Sequence, residues 1–154
     1  GYFLWLESEK IKRKEAKLIL GKKLAMSHFF SGDDAIPVTL VKIKESNIDF
    51  EAGKEVKIVG KSKGRGCQGV VKRHGFHGGP KTHGQKNCLR APGSIGPTAP
   101  QRVIPGRRMA GRMGNDRKTI KNITIVNWDK ERGLLSLKGP LPGTRGSQVR
   151  IFYS

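Results

Sequence analysis

The chain has 154 residues, 31 Lys and Arg against 12 Asp and Glu, and a formal net charge of +19, with a sequence pI near 10.5. Its hydrophobic content of 35% suffices for one modest core, and no apolar run approaches the roughly 20 residues of a spanning helix. A charge of this size makes the free chain repel itself and favours a polyanionic partner.

Residues 1–17 are expected to be a basic extension, with Leu4, Ile11 and Leu18 at heptad spacing as the thin stripe of a short helix. Glu7, Glu9 and Glu15 interrupt its lysines, which argues against a membrane-surface helix. Charges follow the apolar start directly with no small-residue cleavage site, so an intracellular location is expected. Residues 36–43, 56–59, 120–126, 134–138 and 149–153 are short and rich in β-branched side chains, the composition of strands. Turn-forming residues separate them at 31–34, 51–53, 129–133 and 139–146. The expected fold is mainly β, a small closed barrel or sandwich built from 18–60 and 119–154, with 61–118 inserted as a long basic Gly/Pro-rich loop.

Between residues 56 and 115 there is not one Asp or Glu. Glycine and proline are dense and apolar residues isolated, so the segment reads as extended and ordered by a partner. Gly64-Arg-Gly-Cys-Gln-Gly69 matches GxGxxG, but a dinucleotide site needs a following helix and an acid about 20 residues on. Residues 70–75 are a poor helix start and the next acid is Asp116, so the glycines are read as backbone able to approach phosphates. Cys67, His74, His77, His83 and Cys88 have loosely tolerable zinc spacing, yet the glycines among them leave no scaffold. No metal or cofactor is expected, and the histidines are assigned to base stacking or phosphate contacts. The two cysteines are too few for a disulfide framework and fit a reducing compartment. Asp33, Asp34, Asp49, Asp129 and Glu131 sit in turns, no nucleophile is paired with a base, and no enzyme activity is expected.

What remains is a ribbon of cations along the backbone, the pattern that phosphate tracking requires. The candidate rRNA-binding residues are Lys61, Lys63, Arg65, Lys72, Arg73, His74, His77, Lys81, His83, Lys86, Arg90, Arg102, Arg107, Arg108, Arg112, Arg117 and Lys118. A nonspecific nucleic-acid chaperone would carry the same charges. The interleaved Pro-Gly turns favour a set path through folded RNA.

The motifs GKSKGRGCQGVVKR at 60–73, HG at 83–84, RAPGSIG at 90–96, RRMAGRMGN at 107–115 and GPLPGTRG at 139–146 closely resemble the bacterial form of ribosomal protein L-three. LGKKLAM at 20–26 and IPVT at 36–39 are similar to that family's amino-terminal strands. The resemblance, over about 18–151, implies a translation-protein-type barrel and a loop running through large-subunit rRNA towards the peptidyl transferase centre. It makes Ser94, Ile95, Gly96, Pro97, Thr98, Ala99, Pro100 and Gln101 the loop tip. It implies a structural and assembly role in the large subunit, with the family's neighbours L-fourteen and L-nineteen as partners and no membrane or small-molecule substrate. The location implied is a bacterial-type ribosome, in the cytoplasm or in an organellar matrix. Three features depart from the pattern: residues 1–17 match nothing in the family, the chain is short between Ile43 and Val56, and Pro97 stands where many members carry a methylated glutamine.

Overall fold

The computed structural model describes residues 17–44 and 48–153. Six strands close an antiparallel barrel in the order β1-β2-β7-β6-β3-β8, with β1 paired back to β8. They are β1 (Lys17–Ser31), β2 (Asp34–Ile43), β3 (Glu55–Lys61), β6 (Arg117–Asp129), β7 (Leu134–Lys138) and β8 (Gln148–Tyr153). The mainly β barrel expected from the strand spacing is the one observed. Two further strands, β4 (Cys67–Gln68) and β5 (Gly111–Arg112), and one helix, α1 (Val70–His74), lie within Gly64–Asn115, which forms a compact unit of its own.

Alternation explains the barrel. Ile58, Leu135, Leu137, Val149 and Ile151 are fully buried, whereas Lys57, Lys138 and Arg150 beside them point outward. Each such aliphatic side chain stabilises the fold by roughly 1.5–3 kcal/mol on full burial. On β1 the inward positions are Ile19, Gly21 and Lys23; a Cβ at Gly21 would strike the Val41 side chain, so only glycine lets the two strands approach there. The β1–β2 hairpin turns at Gly32, whose φ of 62° suits the first central position of a two-residue turn. In β6 the register shifts between Ile120 and Ile123, and Asn122 takes a φ of 56°: one extra residue bends this long strand around the core.

Two local readings are corrected. Residues 70–74 form one helical turn, although their sequence is a poor helix start. Val70 is buried, Gly75 closes the turn at a φ of 74° with its N–H on the Val71 carbonyl, and Lys72, Arg73 and His74 complement the carboxyl end of the dipole. One turn is too short to show a 3.6-residue period. Residues 17 and 18, expected at the end of an extension, open β1 and pair with Tyr153 and Phe152. The rest of the suggested short helix lies outside the described residues.

The segment between β7 and β8 is tied at both ends. Thr39 Oγ1 donates to the Gly139 carbonyl at 2.6 Å, and the Gly139 N–H donates to the Pro37 carbonyl. Lys23 holds the other end: its N–H donates to Ser147, its carbonyl accepts from Gly146, and its Nζ donates to the carbonyls of Leu141 at 2.7 Å and Gly143 at 3.0 Å. Lys23 is only 7% exposed. Burial first, and Lys63 second, lowers its pKa from 10.5.

Replacing Lys23 with Met should leave both carbonyls without that donor and lower stability by about 1–3 kcal/mol in denaturant titration. The pH dependence has a definite sign: between the lowered folded pKa and the unfolded value of 10.5, the native state binds fewer protons. Native stability should therefore rise with pH across that window, a contribution that the Lys23→Met difference curve should isolate.

Candidate nucleic-acid interface

Within Gly64–Asn115 the backbone is drawn together by bonds that require little side-chain bulk. β4 pairs with β5, and the ribbon continues through Arg65 N–H to Met113 and Met113 N–H to Gly66, both 2.9 Å. The GxGxxG motif thus contains a strand, with Gly66 at a φ of 68°, and a helix of one turn follows without a side-chain cap. This is not the strand-turn-helix arrangement that a dinucleotide fold presents to a pyrophosphate. Farther along, Gly79 donates to the carbonyls of Cys88 and Leu89, each at 3.1 Å. A Cβ at Gly78 would overlap the Leu89 carbonyl, so the two backbone segments meet only because the residue is glycine.

Arg73 and His74, at the end of α1, both address the Met109 carbonyl, at 2.7 Å from Nη1 and 3.0 Å from Nε2. The Arg73 guanidinium passes so close to Gly111 that a Cβ there would lie 2.7 Å from Nη1. Arg107 donates to the carbonyl of Ser94, whose Oγ is bonded to Gly96. Three of the candidate rRNA-binding groups are therefore also internal ties, each guanidinium retaining other donors.

The remaining candidates lie at the surface. Lys61, Lys63, Arg65, Lys72, His77, Lys81, His83, Lys86, Arg90, Arg102, Arg108, Arg112, Arg117 and Lys118 are exposed, Lys61 on β3 and Arg117 and Lys118 on β6. Among the described residues the ion pairs are Lys54–Glu51, Lys130–Asp49 and Arg132–Asp129, and none involves Gly64–Asn115. No three His, Cys, Asp or Glu side chains converge to hold a metal ion among the described residues. Ser94, Ile95, Gly96, Pro97, Thr98, Ala99, Pro100 and Gln101 are all exposed, and Leu89, Val103, Ile104 and Met109 are exposed apolar residues of the same unit.

One basic feature escaped the sequence reading. On the barrel, Lys61, Arg117 and Arg150 line a cleft of about 610 Å³ with Leu20, Val59, Gly60, Ser147 and Gln148. Arg150 pairs across β8 with Leu20 on one side and Val59 on the other. Its outward position was available from the alternation of Val149, Arg150 and Ile151, but the uneven charge drew attention elsewhere.

Residues 27–136 match the family model for ribosomal protein L3, which spans most of the chain. The chain belongs to the ribosomal protein L3 family. Relatives named large ribosomal subunit protein uL3 include that of Herpetosiphon aurantiacus, 54% identical over 107 residues, or 68% of this chain and 50% of the relative. The Chlorobium limicola protein is 52% identical over 103 residues, 66% of this chain and 49% of the relative, and that of Bacillus mycoides is 53% identical over 102, 66% and 48%. The chain spans about half the length of the curated relatives it matches. The L3 family match takes in the whole Gly64–Asn115 unit together with β2, β3 and β6.

The Arg73 tie should be separable from charge. Arg73→Lys keeps the cation but loses the planar fork, and amide hydrogen exchange around Met109 and Gly111 should accelerate by roughly tenfold, as expected for the loss of one charge-assisted bond of about 1.5 kcal/mol. Unchanged protection there would show that the contact holds nothing in place.

Proposed function

We propose that the chain is a structural constituent of the large ribosomal subunit, binding large-subunit rRNA through residues 61–118 and supporting subunit assembly. The observation that carries this reading is the Gly64–Asn115 unit, in which exposed cations face no carboxylate in sequence or in space. Phosphates are the partner that such a surface lacks. Membership of the L3 family, whose relatives bear large-subunit names, supports the same reading. The location proposed is the ribosome, and a structural rather than catalytic role accords with the family.

In this reading the exposed segment from Ser94 to Gln101 is the end that approaches the peptidyl transferase centre. Its support is the RAPGSIG resemblance and the absence of any cation in the segment itself. The proposed protein neighbours are L-fourteen and L-nineteen, again from the resemblance. Exposed Met26, Phe29 and Phe30 on the β1–β2 hairpin supply apolar surface for a protein contact.

Sedimentation of cell extract provides the direct test: the chain should co-migrate with the large subunit, and migration with free protein alone would defeat the reading. A nonspecific chaperone should bind unrelated RNA about as well as rRNA in competition at physiological salt.

Gripping and tip residues should respond differently. Arg112→Ala should make the dependence of log K on log salt shallower by about one unit if the guanidinium meets a phosphate. Pro97→Ala should leave rRNA affinity nearly intact and perturb peptidyl transfer, and a loss of affinity equal to that of Arg112→Ala would abolish the distinction.

A further inference from the structure

Within the Gly64–Asn115 unit, a cleft of about 600 Å³ opens between the end of α1 and the segment around Cys88. Its lining combines the Phe76 ring, the imidazoles of His74 and His77, and the guanidinium of Arg108. We propose that this cleft receives a single unpaired nucleotide splayed out of folded RNA, its base against Phe76 and the imidazoles and its phosphate at Arg108. The proposal rests on the rRNA-binding reading and names the element of RNA that this site takes.

The first argument is chemical. An unstacked base is recognised by aromatic rings, histidine and arginine planes on its faces and by hydrogen-bonding groups on its edge. Phe76 offers the face, and the ring nitrogens of His77 can donate or accept according to tautomer. Arg108 is positive and exposed, with no carboxylate between residues 56 and 115 to compete for it.

The second argument is that the cleft is built before any ligand arrives. His74 is oriented by its 3.0 Å bond to the Met109 carbonyl, and its ring stands 6.1 Å from that of Phe76, tilted by 46°. Opposite them, the floor is backbone. Gly79 is bonded to Cys88 and Leu89, and a Cβ at Gly79 would come within 2.8 Å of the Cys88 carbonyl. Gly75 and Gly78 reverse the chain at φ values of 74° and 75°. These glycines leave a space that larger residues would fill, and its volume falls in the range of small-ligand sites. A helical RNA segment presents its bases stacked and paired, so the component of RNA that fits a concave aromatic site is an extruded nucleotide.

The test uses the full chain and two RNA hairpins of equal length, one with a single bulged 2-aminopurine and one in which that purine is paired. The bulged hairpin should bind more tightly by roughly 5- to 100-fold, the span expected for stacking one base on an aromatic side chain. Its fluorescence should be quenched on binding. Phe76→Leu and Arg108→Lys should each bring the bulged hairpin's affinity down to that of the paired one, while Phe76→Trp should retain the preference. Equal affinity of the unsubstituted chain for both hairpins overturns the proposal and leaves the rRNA-binding reading standing. Failure to bind either hairpin overturns both. A loss of the same size on both hairpins in Phe76→Leu and in Arg108→Lys assigns these residues to packing and general charge, which also overturns it.

Discussion

A segment that contains cations and no carboxylates cannot neutralise itself, and this constraint shapes the Gly64–Asn115 unit. Its internal polar contacts run from side-chain donors to backbone carbonyls: Arg73 and His74 to Met109, and Arg107 to Ser94. A carbonyl satisfies an N–H and orders the side chain without cancelling its charge. An ion pair would give similar order and remove the charge that phosphate requires. On the barrel Lys23 uses the same chemistry, its buried ammonium held by the Leu141 and Gly143 carbonyls. In a chain with a net charge of +19, internal structure built on carbonyl acceptors keeps the cations available to an outside anion.

The glycines follow from that choice. Carbonyls can receive a guanidinium only where the backbone is bare enough for it to pass, and Gly111 provides that passage beneath Arg73. Elsewhere the backbone approaches itself, as Gly78 and Gly79 do against Leu89 and Cys88. With few side chains to bury, the unit has Val70 as its buried aliphatic among the described residues. Its order therefore depends on hydrogen bonds more than on a hydrophobic core, in contrast with the barrel, where Ile58, Leu135, Leu137, Val149 and Ile151 exclude water together.

The barrel was legible wherever burial imposed alternation, as in β3, β7 and β8. Much of β1 was not, because its inward positions include Gly21 and Lys23, and its outer half from Met26 onward is exposed on both faces. Its assignment came from the family resemblance at 20–26 instead of from periodicity. Helix α1 was illegible for a different reason: a single turn closed by Gly75 has no second turn with which to establish a period. The interface was legible as charge, since the absence of acids needs no geometry to see. Which arginines also hold the backbone was not, because Arg73 and Lys72 look alike until the Met109 carbonyl is placed.

That double role limits how binding measurements on this unit can be interpreted. An arginine that meets a phosphate and also holds a carbonyl changes two quantities when truncated: the charge presented to RNA and the geometry of neighbouring charges. The salt slope reports the first, at about 0.9 per neutralised phosphate on duplex and about 0.7 on single strands. A misplaced neighbour can lower affinity at every salt concentration while leaving the slope unchanged, because the number of released counterions is the same. A substitution at Arg73 or Arg107 therefore mixes both effects. Exposed cations that hold no backbone carbonyl, such as Lys72 and Arg112, are the positions from which the phosphate count can be read.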